Sequence, residues 1–90
     1  MPNVRDNRER SRFELDEAGQ TVFANYRRQN STLVIPYVEA PPGLRGTGAS
    51  GRLMEGIMGI ARAEGLKIVP LCGFASAWMR RHKQHRDLLA

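Results

Sequence analysis

The sequence predicts a mixed α+β domain, and three observations lead to this prediction. Residues 12–38 alternate between apolar and polar positions and are divided by two short turns, which is typical of a three-stranded antiparallel meander. A glycine-rich turn follows and leads into a helical apolar pattern at residues 47–64. A short apolar stretch at 66–71 and a second helical pattern at 75–82 complete the order, so the last strand should cross over and lie parallel to the third.

The three strands of the meander are expected at residues 12–16, 20–28 and 32–38. The first two alternate, which indicates that each has one buried face. The third is rich in β-branched residues and should be mostly buried. Pro36 interrupts it, and because proline donates no N–H, we expect a bulge or a missing partner at that point.

Two helices are expected to follow the meander. In the first, apolar residues recur at helical spacing and form one stripe: Leu53, Ile57, Ile60 and Ala61. Gly65 should end this helix in the left-handed conformation. The second helix ends in a basic run at residues 80–86, which either complements the negative end of the helix dipole or binds a ligand phosphate.

Length and composition limit the classes of protein to consider. Ninety residues predict one domain, at residues 10–90, preceded by a disordered arm at 1–9 that is poor in apolar side chains. The net charge of +5 is typical of a protein with a polyanionic partner or simply with a basic surface. One cysteine excludes an internal disulfide, and we expect a cytoplasmic protein without a membrane span or signal sequence.

The turn between the strands and the first helix has the composition of an anion site: Pro41-Pro42-Gly43-Leu44-Arg45-Gly46-Thr47-Gly48-Ala49-Ser50-Gly51. The two prolines end the preceding strand, because proline lacks an N–H and restricts the residue before it. Glycines let a ligand approach the backbone, and the first N–H groups of the next helix have no partner within it. These groups and the helix dipole favour a phosphate, and Arg45 and Arg52 add positive charge.

Two phosphate-loop patterns fit this turn poorly. A P-loop needs Gly-Lys-Ser/Thr, and residues 41–51 contain no lysine. Residues 46–51 match the G-x-G-x-x-G pattern of dinucleotide-binding folds. That pattern needs an acidic residue about 20 positions later, where residues 70–72 read Pro-Leu-Cys.

A third pattern fits better. Residues 45–50 resemble the Arg/Gln-x-x-Gly-x-Gly/Ala loop that binds the acetyl-CoA pyrophosphate in GCN5-related N-acetyltransferases, except that Ser50 replaces the final glycine or alanine. Other segments resemble the small single-domain branch of that superfamily, in the same order: Glu39-Ala40-Pro41, Gly65-Leu66-Lys67-Ile68-Val69-Pro70-Leu71-Cys72 and Arg81-His82. The resemblance covers residues 12–88. It implies the acetyltransferase fold and transfer of an acetyl group from acetyl-CoA to an amine.

The resemblance also implies a site. Acetyl-CoA or CoA would be bound by Arg45, Gly46, Thr47, Gly48, Ala49, Ser50 and Gly51. Glu39, at the end of the third strand, would act as general base, directly or through water, or would be merely an exposed carboxylate. Cys72, at the end of the parallel strand, would accept the acetyl group or act as a thiol acid, or would be a buried, inert cysteine.

The sequence departs from the branch near its end. Where the branch typically reads His-Pro-Glu-Tyr, residues 82–85 read His-Lys-Gln-His, so a tyrosine that could act as acid is absent. The chain also lacks the N-terminal strand and helices that enclose the acceptor site of larger members. The acceptor, a small molecule or a protein, should therefore meet an open site or one that a partner completes.

Other chemistries find less support in the sequence. Cys72, His82 and His85 do not have the close spacing of metal ligands, so no metal site is expected. No nucleophile-elbow sequence precedes a helix, which argues against a Ser-His-Asp hydrolase. Two alternative functions stay open: a non-catalytic acyl-CoA-binding module, and a basic nucleic-acid-binding module that uses the arginine-rich segments.

Overall fold

Five strands form one mixed sheet in the order β1-β2-β3-β4-β5 in the computed structural model, which describes residues 3–90. The first four strands pair antiparallel in chain order, and β5 pairs parallel with β4. The mixed fold and the crossover to a parallel last strand are therefore confirmed. The strands are β1 Arg5–Asn7, β2 Arg12–Glu17, β3 Gln20–Gln29, β4 Thr32–Glu39 and β5 Lys67–Pro70.

The helices are α1 Ala49–Glu64 and α2 Gly73–Arg81, with short 3-10 turns at Pro42–Leu44 and Lys83–Leu88. α1 begins two residues later than expected, because Gly48 adopts a left-handed conformation and interrupts the helical backbone ahead of it. Gly65 ends α1 with a φ of 68°, as predicted. Within residues 3–90, neither helix combines the length and the hydropathy that a membrane-spanning helix requires.

Residues 1–9 were expected to form a disordered arm, but Arg5–Asn7 form the first strand, so this expectation is wrong for that part. Arg5 Nε donates a hydrogen bond to the Glu14 carboxylate at 2.9 Å, and the side-chain amide of Asn7 donates to the same carboxylate at 3.1 Å. Glu14 is only 3% exposed, so these hydrogen bonds are shielded from water. They hold β1 against the sheet, whereas the other strands are held mainly by burial of apolar side chains. Met1 and Pro2 lie outside the described residues.

Both helices pack against one face of the sheet. The core cluster contains inward-facing residues of the strands together with residues of both helices, among them Phe13, Val22, Leu33, Ile35, Leu53, Ile57, Ala75 and Trp78. The side chains that alternate with the inward strand residues lie on the opposite face, here called the outer face. It includes a row formed by Arg12, Phe23, Tyr37 and Glu39.

A bulge interrupts β4 where Pro36 predicts one. The pairing with β3 shifts between Arg27↔Val34 and Asn25↔Tyr37, so β4 has one residue more than β3 in this interval. On the other side of β4, the pairing with β5 ends at Ile35↔Pro70. Residues 36–39 therefore extend beyond β5 at the end of the sheet where the glycine-rich turn begins.

Candidate functional site

The turn between β4 and α1 is held by its own hydrogen bonds. The Leu44 N–H donates to Pro41 O at 2.9 Å, and the Thr47 N–H donates to Leu44 O at 3.2 Å. The Thr47 hydroxyl donates to the same Leu44 oxygen at 2.6 Å. Leu44 is buried in the core and anchors the turn. The turn is thus preorganised before any ligand binds.

Two glycines of the turn adopt conformations that other residues rarely take. Gly46 has a φ of 78° and Gly48 a φ of 88°. A Cβ on Gly48 would lie 2.9 Å from Arg52 Nη1, whereas a Cβ on Gly46 would meet nothing within 4 Å. Gly48 is therefore required by its backbone conformation, because the end of the Arg52 side chain can move aside, and Gly46 borders open space.

The N-terminus of α1 has several backbone N–H groups without a protein acceptor. Within residues 3–90, this holds for Gly48, Ser50 and Gly51, and also for Gly46 in the turn just before the helix. The Ala49 N–H donates to Thr47 Oγ1 at 3.3 Å, and no acidic side chain occupies the first turn. Four free donors at the positive end of a helix dipole favour an anion.

A cavity of about 310 Å³ lies at this helix end. It is lined by Ala40, Leu44, Arg45, Gly46, Gly48, Ala49, Ser50, Gly51 and Phe74. All the cofactor residues named from the sequence line it except Thr47, whose hydroxyl bonds to Leu44 O within the turn. Phe74 was not foreseen, because only the packing of α2 brings it to the cavity. A large aromatic side chain directly before the apolar residues of this helix was the available signal.

The two arginines that flank the turn have different roles. Arg45 Nε donates to Ala40 O at 3.1 Å, and within residues 3–90 its guanidinium forms no ion pair. Arg52 donates to both carboxylate oxygens of Glu17 at 2.7 Å and to Thr47 O at 3.1 Å. Hydrogen bonding to Arg52 lowers the pKa of Glu17. Both arginines were expected to add positive charge to the turn, and the ion pair with Glu17 offsets the charge of Arg52.

Trp78 connects α2 to the start of α1. It is 3% exposed, and its Nε1 lies 3.4 Å from the position that a Cβ of Gly51 would occupy. The indole stacks on His82 with ring centroids 3.8 Å apart, and His85 stacks at 5.7 Å. Part of the basic end of α2 is thus packed against an aromatic ring.

Glu39 lies at the end of β4, on the outer face, and its carboxylate is exposed. The Tyr37 hydroxyl donates a hydrogen bond to Glu39 Oε1, and this bond raises the pKa of Tyr37. The Tyr37 ring contacts Phe23 with centroids 6.3 Å apart. Glu39 is therefore oriented by its neighbour two residues earlier, which the alternation of β4 places on the same face.

Cys72 lies two residues after β5 and is half-buried against the core. Its Sγ accepts a hydrogen bond from the Ala75 N–H at 3.4 Å and so caps α2. Glu39 and Cys72 thus end neighbouring parallel strands at the same end of the sheet, as the sequence suggests. The structure does not bring them into one cluster, because Glu39 lies on the outer face and Cys72 packs toward the core.

The sequence model of the family described as GCN5-related N-acetyl-transferase matches residues 12–88. The chain belongs to this family. A solution NMR structure of a GCN5-like N-acetyltransferase candidate from Staphylococcus aureus has a similar fold, with a TM-score of 0.70. The two sequences are 22% identical, over 98% of this chain and 87% of that chain. No curated protein sequence matches this chain.

This family membership confirms the resemblance described above for residues 12–88 and the fold that it implies. It also identifies the chain as an N-acetyltransferase by family. The Gly-rich turn, the cavity and the free N–H groups lie within the matched residues.

Proposed function

We propose that this protein is an acetyl-CoA-dependent N-acetyltransferase that acetylates an amine. The observation that supports this most is the set of free N–H groups at the cavity where α1 begins. Residues with this arrangement fit the pyrophosphate of CoA, because backbone donors and a helix dipole converge on one anion. Arg45 adds a cation without a carboxylate partner among residues 3–90. Acetyl-CoA supplies an acyl group activated as a thioester.

We assign Glu39 the role of general base. Amine acceptors are protonated at neutral pH, and nucleophilic attack requires the neutral amine, so a carboxylate within reach of the acceptor is needed. Glu39 lies on residues 36–39, the part of β4 that extends beyond β5 next to the turn. In sheets with parallel strands, ligands commonly bind just beyond the carboxyl ends of the strands. Tyr37 holds one carboxylate oxygen and leaves the other for the acceptor.

The test is turnover of acetyl-CoA with a panel of primary amines, followed as released CoA thiol. Glu39→Gln is expected to lower turnover by about 100-fold or more while CoA affinity stays unchanged, since this is the usual scale for loss of a positioned base. Glu9→Gln, at an exposed site remote from the sheet end, is the matched control. Full turnover in folded Glu39→Gln would exclude Glu39 as base and leave proximity as the source of catalysis.

Cys72 is tested separately. If it relays the acetyl group, its Sγ bonds to the acetyl carbon while CoA leaves as the thiol, and acetyl-CoA alone should add one acetyl mass that Cys72→Ser lacks. The hydrogen bond from Ala75 supports the simpler role of a helix cap. No adduct together with near-normal turnover in Cys72→Ala would assign Cys72 to the cap alone.

The nucleic-acid alternative is weakened by the ion pairs of the arginines. Several are already paired within the chain: Arg5 and Arg12 with Glu14, Arg28 with Asp6, Arg52 with Glu17 and Arg62 with Asp87. A phosphate backbone would have to compete with these carboxylates. Preferential binding of an oligonucleotide over CoA at the same moderate salt would nevertheless favour the nucleic-acid function.

A further inference from the structure

The indole of Trp78 carries a hydrogen-bond donor that the protein itself does not use. Trp78 is 3% exposed, and within residues 3–90 its Nε1 donates to no protein acceptor. An indole N–H can only donate, and a buried one usually has a partner. Among the same residues, the one fully buried side-chain nitrogen or oxygen without a partner is Arg28 Nε, so the indole nitrogen keeps access to solvent. The donor is therefore available to a ligand.

This donor lies beside the start of α1. Trp78 Nε1 is 3.4 Å from the position that a Cβ of Gly51 would occupy, and Gly51 lines the cavity. Phe74, one turn earlier on α2, lines the cavity as well. Helical side chains lean toward the N-terminus of their helix, so the indole extends from Trp78 toward the turn that carries Phe74. The indole N–H thus lies in the same region as the free backbone N–H groups of α1.

Gly51 leaves this donor uncovered. It lies within α1 and its φ is not positive, so its backbone conformation does not require glycine. A Cβ at this position would have Trp78 Nε1 as its nearest contact at 3.4 Å, an ordinary van der Waals distance, so packing does not require glycine either. Glycine nevertheless destabilises a helix relative to alanine. The effect of the missing side chain is to leave space beside the indole N–H.

The indole is held in a fixed orientation. Its ring stacks on His82 with centroids 3.8 Å apart and on His85 with centroids 5.7 Å apart. His82 Nδ1 lies 2.7 Å from Trp78 O, and His85 Nε2 lies 2.7 Å from Glu55 Oε1, so both imidazoles are themselves held by hydrogen bonds. A donor that is already oriented loses little freedom when its acceptor binds, and more of the hydrogen bond appears as affinity.

We propose that the Trp78 indole N–H donates a hydrogen bond to the cofactor pyrophosphate through the space that Gly51 leaves open. The inference depends on the proposed function, because it assumes that CoA binds at the start of α1. A phosphate oxygen there accepts from the indole on the α2 side and from backbone N–H groups on the α1 side. Hydrogen bonds to an anion are stronger than those between neutral groups. Trp78 is thus a binding residue that the second helix supplies.

The chain contains one tryptophan, so its indole N–H gives a single signal in the NMR spectrum of the ¹⁵N-labelled protein. The full chain is titrated with CoA and, as the matched control, with pantetheine, which lacks the phosphates. CoA is expected to move the indole signal downfield, because a hydrogen bond to an anion deshields the proton, and pantetheine is expected to leave it in place. An indole signal that CoA does not move, or that both compounds move equally, would overturn the inference.

Replacing Trp78 separates the hydrogen bond from the ring. Benzothienylalanine at this position keeps the shape and stacking of the indole but has sulfur where the indole has N–H. It should weaken CoA binding about 10-fold, the scale of one hydrogen bond to a charged group. Met79→Leu, a volume-conserving change at the next buried position of α2, is the control and should leave CoA affinity unchanged. Unchanged affinity in the folded benzothienylalanine protein would exclude the indole N–H as a donor.

The same spectra distinguish failure of this inference from failure of the proposed function. The backbone amides of residues 46–51 report CoA binding independently of the indole. If CoA shifts these amides but leaves the indole signal in place, only the role of Trp78 is wrong. If CoA shifts neither the amides nor the indole, the proposed function is wrong.

Discussion

Both ends of α1 have a glycine, but they differ in whether their backbone groups have hydrogen-bond partners within the protein. Each end has a glycine in the left-handed conformation, Gly48 at the start and Gly65 at the end, with φ values of 88° and 68°. At the C-terminal end, the Gly65 N–H donates to Ala61 and Arg62 carbonyls, and the Leu66 N–H donates to Ala61 O at 2.9 Å. At the N-terminal end, Gly48 has no side chain to cap the helix, and among residues 49–51 of α1 only the Ala49 N–H has an acceptor within residues 3–90, Thr47 Oγ1.

This difference separates structural from functional groups on one helix. Both ends border a cavity, of about 310 Å³ at the start and about 270 Å³ at the end. In the second cavity, Arg62 is paired with Asp87 at 2.6 Å, so its charge is already neutralised. A helix end that the protein caps stabilises the fold, whereas an end with free donors and an unpaired arginine is suited to bind an anion.

The largest expected effect comes from replacing the glycine at the start of α1, Gly48, and the glycine at its end, Gly65, serves as the control. Gly48→Val should weaken CoA binding by about 100-fold or more, because the changed backbone withdraws two or more charge-assisted hydrogen bonds from the phosphates. Gly65→Val should leave CoA affinity unchanged and lower the free energy of unfolding by about 1–2 kcal/mol, the cost of a left-handed residue with a side chain. Calorimetric titration and urea unfolding measure the two effects. Unchanged affinity in a folded Gly48→Val protein would contradict the assignment.

The second effect concerns the arginines at the two ends. Arg45→Ala should weaken CoA binding about 3- to 10-fold and reduce the salt dependence of its affinity, because Arg45 acts on the polyanion through a screened charge. Arg62→Ala is the matched control and should change neither, since Arg62 is committed to Asp87. Titrations at low and moderate salt measure this. Equal losses in both variants would show that overall charge, rather than the helix start, determines affinity.

The strands and helices could be predicted because their signals are local. Alternation located β2 and β3, Pro36 predicted the bulge, and Gly65 marked the end of α1. β1 was missed because charged residues carry no periodic apolar signal and are held by contacts with β2.

Parts of the site could not be read from the sequence, because they depend on contacts between distant residues. The pairing of Arg52 with Glu17 joins residues 35 positions apart, so the sequence could not show that this arginine is neutralised. Phe74 reaches the cavity only through the packing of α2. By contrast, the link from Tyr37 to Glu39 joins residues two apart on one strand face, and alternation alone could have indicated it.

The smallest expected effect is a pH-dependent change in stability, and it should be similar at both ends of α1. Arg52 lowers the pKa of Glu17, and Arg62 lowers the pKa of Asp87. A carboxylate with a depressed pKa in the folded state stabilises the protein above the unfolded pKa, near 4, and loses this contribution as pH falls through the folded value. Glu17→Gln and Asp87→Asn should therefore be slightly less stable than the parent at pH 7. They should match it near pH 2 in urea midpoints. A difference that grows toward low pH would contradict this sign.

The central claim is that the uncapped start of α1 is the cofactor site, and a titration of the ¹⁵N-labelled chain with CoA tests it most directly. The largest shifts are predicted for the amides of Gly46, Gly48, Ser50 and Gly51, whose N–H groups have no acceptor within residues 3–90. The amides of residues 65–67, at the capped end, should hardly move. Shifts centred on the cavity beside Arg62 and Asp87, or none at saturating CoA, would contradict the claim.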